Sequence, residues 1–195
     1  VYKRQVILWQ GRPNWWRLTV ESLNLWWVIG YFGLLAAWRF LTVIDYMPLG
    51  ASLSLSIPFL FIGGFVGLLL CIVGYIQARA TLYTITNRRV AMRIGAALTV
   101  TLNLPFTQID NAAVAKKRGG FGNIALETAG HAKFSYFVLW PHARAWYFRK
   151  PQPTLRCIAD IDEVSSILGQ AAKSRIIEKE NQSQPNAPRV GMVVN

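Results

Sequence analysis

Few residues in this chain carry groups able to do covalent or metal chemistry. In 195 residues there are two cysteines (Cys71 and Cys157), two histidines (His131 and His142), and nine Asp and Glu together. The cysteines match neither a disulfide framework nor the spacing of a metal knuckle. Neither histidine stands in a pattern with Cys or carboxylates that suits zinc. Gly119, Gly120 and Gly122 lack the following Lys–Ser/Thr and helix start that a phosphate-cradling loop needs. Asp160, Asp162 and Glu163 are explained by a helix start. The one nucleophile–base pair left open is Cys157 with His142, and His142, beside Pro141, reads first as a turn or corner residue. These residue types point away from an enzyme and toward binding.

The elements that position them are set by where charge is missing. The chain is 53% hydrophobic and 13% aromatic, only 15% charged, and carries a formal charge of +12. A charged share so far below the roughly 25% of soluble domains argues against a freely soluble enzyme. The aromatic content excludes disorder. Between Arg39 and Arg79 the only Asp, Glu, Lys, Arg or His is Asp45. Two apolar runs, about 24–44 and about 54–78, each meet the roughly 20 residues needed to cross a bilayer. Core helices of a soluble protein are the competing reading, but the remaining chain is too small to wrap two of them. The expected result is a transmembrane hairpin with a loop at 45–53 and Pro58 near the start of the second span, where its missing N–H costs least.

Lys3, Arg4, Arg12 and Arg17 precede the first span, Arg79, Arg88, Arg89 and Arg93 follow the second, and the loop has no Lys or Arg. That bias predicts a multi-pass protein with both termini cytoplasmic. Trp15, Trp16, Trp26 and Trp27, with Arg79 after the second span, are expected at the membrane interface. The first apolar run is too long and starts too late for a cleaved signal peptide. The chain opens at Val1 rather than Met, which leaves open whether residues precede it. Gly63, Gly67 and Gly74 share one face of the second span, with Cys71 beside them, and Gly33 and Ala37 offer a notch on the first. Such small residues let helices approach closely, either each other or a partner helix.

Beyond Arg79 the period changes to that of strands. Residues 80–86, 90–94, 98–104 and 124–128 read as strands, with turns at 87–89, 116–122 and 129–131. The apolar run 133–140 reads as a buried strand ended by Pro141. Asp160 as N-cap with Glu163 three residues on predicts a helix whose inner face holds Ile161, Val164, Leu168, Ala171 and Arg175. The tail beyond Glu180 is expected to be disordered or ordered by a partner. The resulting plan is an N-terminal cytoplasmic or interfacial segment (1–22), the hairpin (23–78), an α+β domain (79–177) and a tail (178–195). The domain is an antiparallel β-sandwich or barrel capped by the C-terminal helix.

Three segments, 7–13 (ILWQGRP), 83–95 (YTITNRRVAMRIG) and 98–109 (LTVTLNLPFTQI), resemble the bacterial pleckstrin-homology-like membrane proteins. In those, a short N-terminal motif and two spans precede a domain with the strand Y-x-I-T-N-x-R. The segments 139–146 (LWPHARAW) and 155–157 (LRC) resemble more narrowly the PuhB-type photosynthetic complex assembly proteins of purple bacteria. The resemblance covers nearly all of the chain up to about Leu168.

It implies a PH-like (pleckstrin-homology-like) cytoplasmic domain on a bacterial inner (intracytoplasmic) membrane protein. The implied partners are reaction-centre subunits and light-harvesting polypeptides, together with membrane lipids, and the implied role is assembly factor or accessory subunit. Bacteriochlorophyll magnesium is commonly held by a His within a span, and neither span has one. No cofactor is therefore expected on the chain's own ligands, only peripheral contact with bacteriochlorophyll, carotenoid or lipid. Candidate partner or lipid contacts are Arg88, Arg89, Lys116, Lys117, Arg118, Trp140, His142 and Arg144. Trp140 and Trp146 otherwise belong to the core or rim of the sheet. The alternative is a generic membrane-anchored scaffold or anionic-lipid-binding module using the same basic residues. Nucleic acid is not expected as a partner, because a tethered domain has a nearer anionic surface.

Overall fold

The structure is a computed structural model that describes residues 5–96, 99–128, 135–144 and 147–183. Three serines show why the second apolar helix begins earlier than hydropathy suggests. Ser52, Ser54 and Ser56 each donate a hydroxyl hydrogen bond to a carbonyl one turn back, Ser54 to Gly50 at 2.8 Å and Ser56 to Ser52 at 3.0 Å. Their polarity is thus satisfied within the helix. The helix runs Leu49–Ala80 after Pro48, so the expected loop at 45–53 shrinks to the few residues after Val43 and Pro58 lies in the helix interior.

In chain order the elements are β1 (Ile7–Gly11), α1 (Trp15–Ser22), α2 (Leu25–Val43), α3 (Leu49–Ala80), β2 (Leu82–Thr86), β3 (Arg89–Ile94) and β4 (Val100–Pro105). After a 3-10 turn come β5 (Ile109–Lys116), β6 (Gly122–Thr128), α4 (Tyr136–Leu139), β7 (Thr154–Ile158) and α5 (Ile161–Ser183). At 1.5 Å per residue, α2 is about 28 Å long and α3 about 48 Å. The buried residues of α3 are Ser52, Ser56, Gly63, Gly67, Gly74 and Ala78, a single stripe of small side chains. A Cβ on Gly63 would sit 2.7 Å from Phe32 Cβ, and one on Gly67 would meet Leu25 and Ile29, so this stripe is the seat of α2. Further along, a Cβ on Gly74 would collide with Thr19 Oγ1 of α1. The opposite faces are apolar and exposed, Trp27 at 81% and Phe61 at 75% among them.

The notch expected at Gly33 and Ala37 is not part of this contact. A Cβ on Gly33 meets nothing within 4 Å and Ala37 is exposed, while its neighbour Ala36 is buried. One residue turns a helix by 100°, and that step moves Ala37 off the seam.

The domain holds two antiparallel sheets, β1-β2-β3-β4 and β5-β6-β7. Tyr83, Ile85, Val90, Met92, Ile124 and Leu155 meet in its core, closed by Ile161, Val164, Leu168 and Ala171 of α5. The inner face of α5 is therefore the one the periodicity predicts. β1 comes from the N-terminal segment and pairs with β2, with Trp9 opposite Ile85, so residues 7–11 are part of the sheet. β5, unseen in the sequence, pairs with β6 through a continuous ladder from Asn111 to Lys116.

Within the run 133–140, the described residues 135–140 do not form a strand. They hold the single turn α4, with Leu139 buried and Trp140 exposed. The apolar run signals burial, but it is too short to carry a period. Asp160 has φ +52° instead of an extended cap geometry, and its carbonyl accepts the Val164 N–H at 3.1 Å. The carboxylate of Asp162 pairs with Lys116. Helix α5 continues to Ser183, past the expected boundary at 177. Leu98, the turn at 129–131 with His131, Trp146, Lys3, Arg4 and the tail from 184 lie outside the described residues.

Candidate functional site

α3 passes into β2 through Thr81 alone, so helix and sheet are joined without a linker. Around that joint lies a buried polar cluster. The Thr81 hydroxyl donates to Gln77 O at 2.8 Å and lies 3.0 Å from His142 Nε2. His142 Nδ1 is 2.6 Å from the Tyr83 hydroxyl, whose oxygen also accepts the Arg156 N–H at 3.2 Å. One proton arrangement satisfies every member. Tyr83 donates to Nδ1, and Nε2–H donates to Thr81. His142 is therefore neutral. Burial, with the Arg156 charge second, pushes its pKa from 6.5 down to about 3.

A second chain of contacts ties α1 to the other sheet. Arg156 Nη1 donates to Ser22 Oγ at 2.6 Å and to Pro141 O at 3.1 Å. Asn123 Nδ2 donates to Glu21 at 2.5 Å, while its Oδ1 accepts the Cys157 N–H at 2.8 Å. Lys117 Nζ lies 3.6 Å from Glu21, and Arg17 stacks over the Phe121 ring at 4.8 Å. Cys157 is buried, and burial, helped by the Glu21 charge, pushes its thiol up to about 12. The Cys157–His142 pair is not assembled, because both ring nitrogens of His142 are taken by hydroxyls. The arrangement locks helices and both sheets into one unit. It holds neither an ionised nucleophile nor a free base.

The sequence-derived candidates separate into groups. Trp27, Lys117 and Trp140 line one groove of about 690 Å³, together with Arg156 and Phe148. Arg88 and Arg89 are half-buried at the β2–β3 turn, the end of β2 farther from α3, which sets them roughly 17 Å from the helix at strand rise. Lys116 is spent on Asp162, and Arg118 is exposed beside it in the chain. Arg144 donates to Gln152 at 2.9 Å and stacks over Tyr147, and Arg79 packs on Tyr75. Trp15 and Trp16 are exposed on α1, Trp15 edge-on to Tyr75, and Trp26 is exposed on α2. His142, expected as a turn residue, is fully buried. Sequence reasoning missed Thr81, Tyr83, Glu21, Asn123 and Arg156 as a cluster. The usable signal was Arg156, a charged residue in the wholly buried strand TLRCI.

A family model described as "Bacterial PH domain" matches residues 28–172. The chain is 42% identical over 185 residues to a Rhodobacter capsulatus protein named "Uncharacterized 23.7 kDa protein in puhA 5'region", covering 93% of this chain and 86% of that one. Among solved structures it is similar to a DUF1696 family protein with a pleckstrin-homology domain from Shewanella loihica PV-4. That likeness has a TM-score of 0.33 and 13% identity over 49% of this chain and 74% of the other.

Proposed function

This chain belongs to the bacterial PH domain family, and we propose that it is an assembly factor or accessory subunit of the purple-bacterial photosynthetic reaction centre–light-harvesting complex. The observation that carries this reading is the 42% identity to a protein named for the puhA 5' region, which supports an association with photosynthesis genes. The narrower resemblance through LWPHARAW and LRC supports the same assignment. It acts without covalent chemistry, by contacts in and beside the membrane, and ligates no pigment itself.

α2 and α3 are its transmembrane hairpin. Only 11% and 17% of their most apolar stretches are buried, which supports lipid contact over a place in a soluble core. The positive-inside bias supports cytoplasmic termini. The Gly63/Gly67/Gly74 face is occupied by α1 and α2, so a partner helix must use another face. A shallow apolar depression of about 540 Å³ around Gly64, flanked by Phe61, Phe65 and Leu68, is the face we assign to it. The rigid α3–β2 joint then transmits the position of the docked helix to the cytoplasmic domain. Membership of the PH family also favours a second reading, an anchored scaffold or anionic-lipid module. Deleting the gene and measuring the near-infrared absorbance of native membranes separates the two. Loss of reaction-centre absorbance per unit membrane supports assembly, and an unchanged spectrum rejects it.

A further inference from the structure

We infer that the groove between the start of α2 and the α4 segment binds the headgroup of an anionic phospholipid, with Arg156 as the buried cation that receives its phosphate. Arg156 is 9% exposed and lines this groove. Its Nη1 is spent on two neutral oxygens, Ser22 Oγ and Pro141 O, and its buried Nε has no acceptor. No carboxylate pairs with it among the described residues. Glu21, the acid in the same groove, is already held by Asn123 and Lys117. A guanidinium taken out of water without a counter-charge is costly, and its fork of donors matches a phosphate.

The remaining walls explain why the anion is a lipid's. Trp27, on the first turn of α2, and Trp140 and Phe148 across the groove are all exposed aromatics. They offer apolar contact to glycerol and upper acyl chain beside a charged base. Indole rings at a helix start favour the headgroup level. A volume of about 690 Å³ suits a headgroup with its glycerol. Lys117 at the same groove lies 3.6 Å from Glu21 and offsets that carboxylate, so the net positive charge left for a phosphate is that of Arg156. This inference rests on the hairpin lying in a bilayer.

The test is native mass spectrometry of the full chain in detergent, offered equal amounts of phosphatidylglycerol and phosphatidylcholine. The expected result is one retained phosphatidylglycerol, at least fivefold over phosphatidylcholine. Arg156→Gln should bring the ratio to parity, and Lys117→Gln, at an exposed position, should lower it at least twofold. Equal retention by the wild-type chain overturns the inference whether or not Arg156→Gln folds, and leaves the guanidinium for an acidic protein segment. An unchanged ratio in both variants also overturns it. So does displacement of the lipid by 10 mM inorganic phosphate, which would make the free anion the ligand. Flotation with phosphatidylcholine vesicles keeps the premise separate. A chain that floats but shows no lipid preference contradicts only this inference, whereas a chain that fails to float contradicts the bilayer reading itself.

Discussion

The Tyr83 hydroxyl lies 2.6 Å from Nδ1 of His142, across 59 residues of sequence. Burial, with the Arg156 charge second, keeps the histidine neutral in the joint between helix and sheet, and the contact sets Nδ1 as the acceptor. The unfolded chain protonates His142 below its ordinary value of 6.5, while the folded chain does so only near 3. Between those values the unfolded state binds the extra proton, so stability falls as pH is lowered, by at most about 1.4 kcal/mol per unit. Above pH 6.5 this group contributes no slope. Unfolding of the detergent-solubilised chain, followed by circular dichroism from pH 8 to 4, should show the loss. His142→Ala should cost about 2 kcal/mol at pH 7.5, by leaving Thr81 and Tyr83 short of a partner, and should flatten the slope.

The glycines of α3 and α2 should respond differently to the same change. Gly74→Leu forces a side chain into Thr19, and Gly63→Leu forces one into Phe32. Each should destabilise the helical hairpin by about 2 kcal/mol or more. Gly33→Leu enters open space and should stay within about 0.5 kcal/mol. Denaturant titration of the three variants gives the ranking. A loss at Gly33 equal to that at Gly74 would contradict the packing described.

Cys157 should be slow to alkylate. Its thiol, pushed up to about 12 and buried, is almost wholly protonated at pH 8. Thiolate is the reacting form. Iodoacetamide followed by peptide mass spectrometry should modify Cys157 only after unfolding, with a rate rising more than tenfold in denaturant. Rapid labelling of the folded chain would show that the α1–β7 contact opens.

The orientation has its own check. If the proposed topology holds, a reporter fused after Asn195 is active on the cytoplasmic side, the side that the bias of basic residues favours. Periplasmic activity would reverse the topology and remove the domain from the face where its partners are assigned.

Much of the scaffold was readable from local patterns. The apolar runs, the glycine stripe, β2 to β4 and the inner face of α5 each follow from a period or from absent charge. The cluster around His142 was not readable, because its members come together over separations of 59 to 73 residues. β1 was missed as a strand because an edge strand has one paired side and exposed residues, such as Ile7 and Leu8, that break alternation. The helix start at Leu49 was hidden by serines whose hydroxyls bond within the helix.

The most direct test of the proposed role is capture of the tagged full chain from native photosynthetic membranes in mild detergent, through the period when complexes are being built. The prediction is that reaction-centre polypeptides are enriched with it, and that this enrichment is lost when Gly64→Trp fills the exposed depression on α3. Fractionation of the chain apart from those polypeptides at every stage would contradict the account.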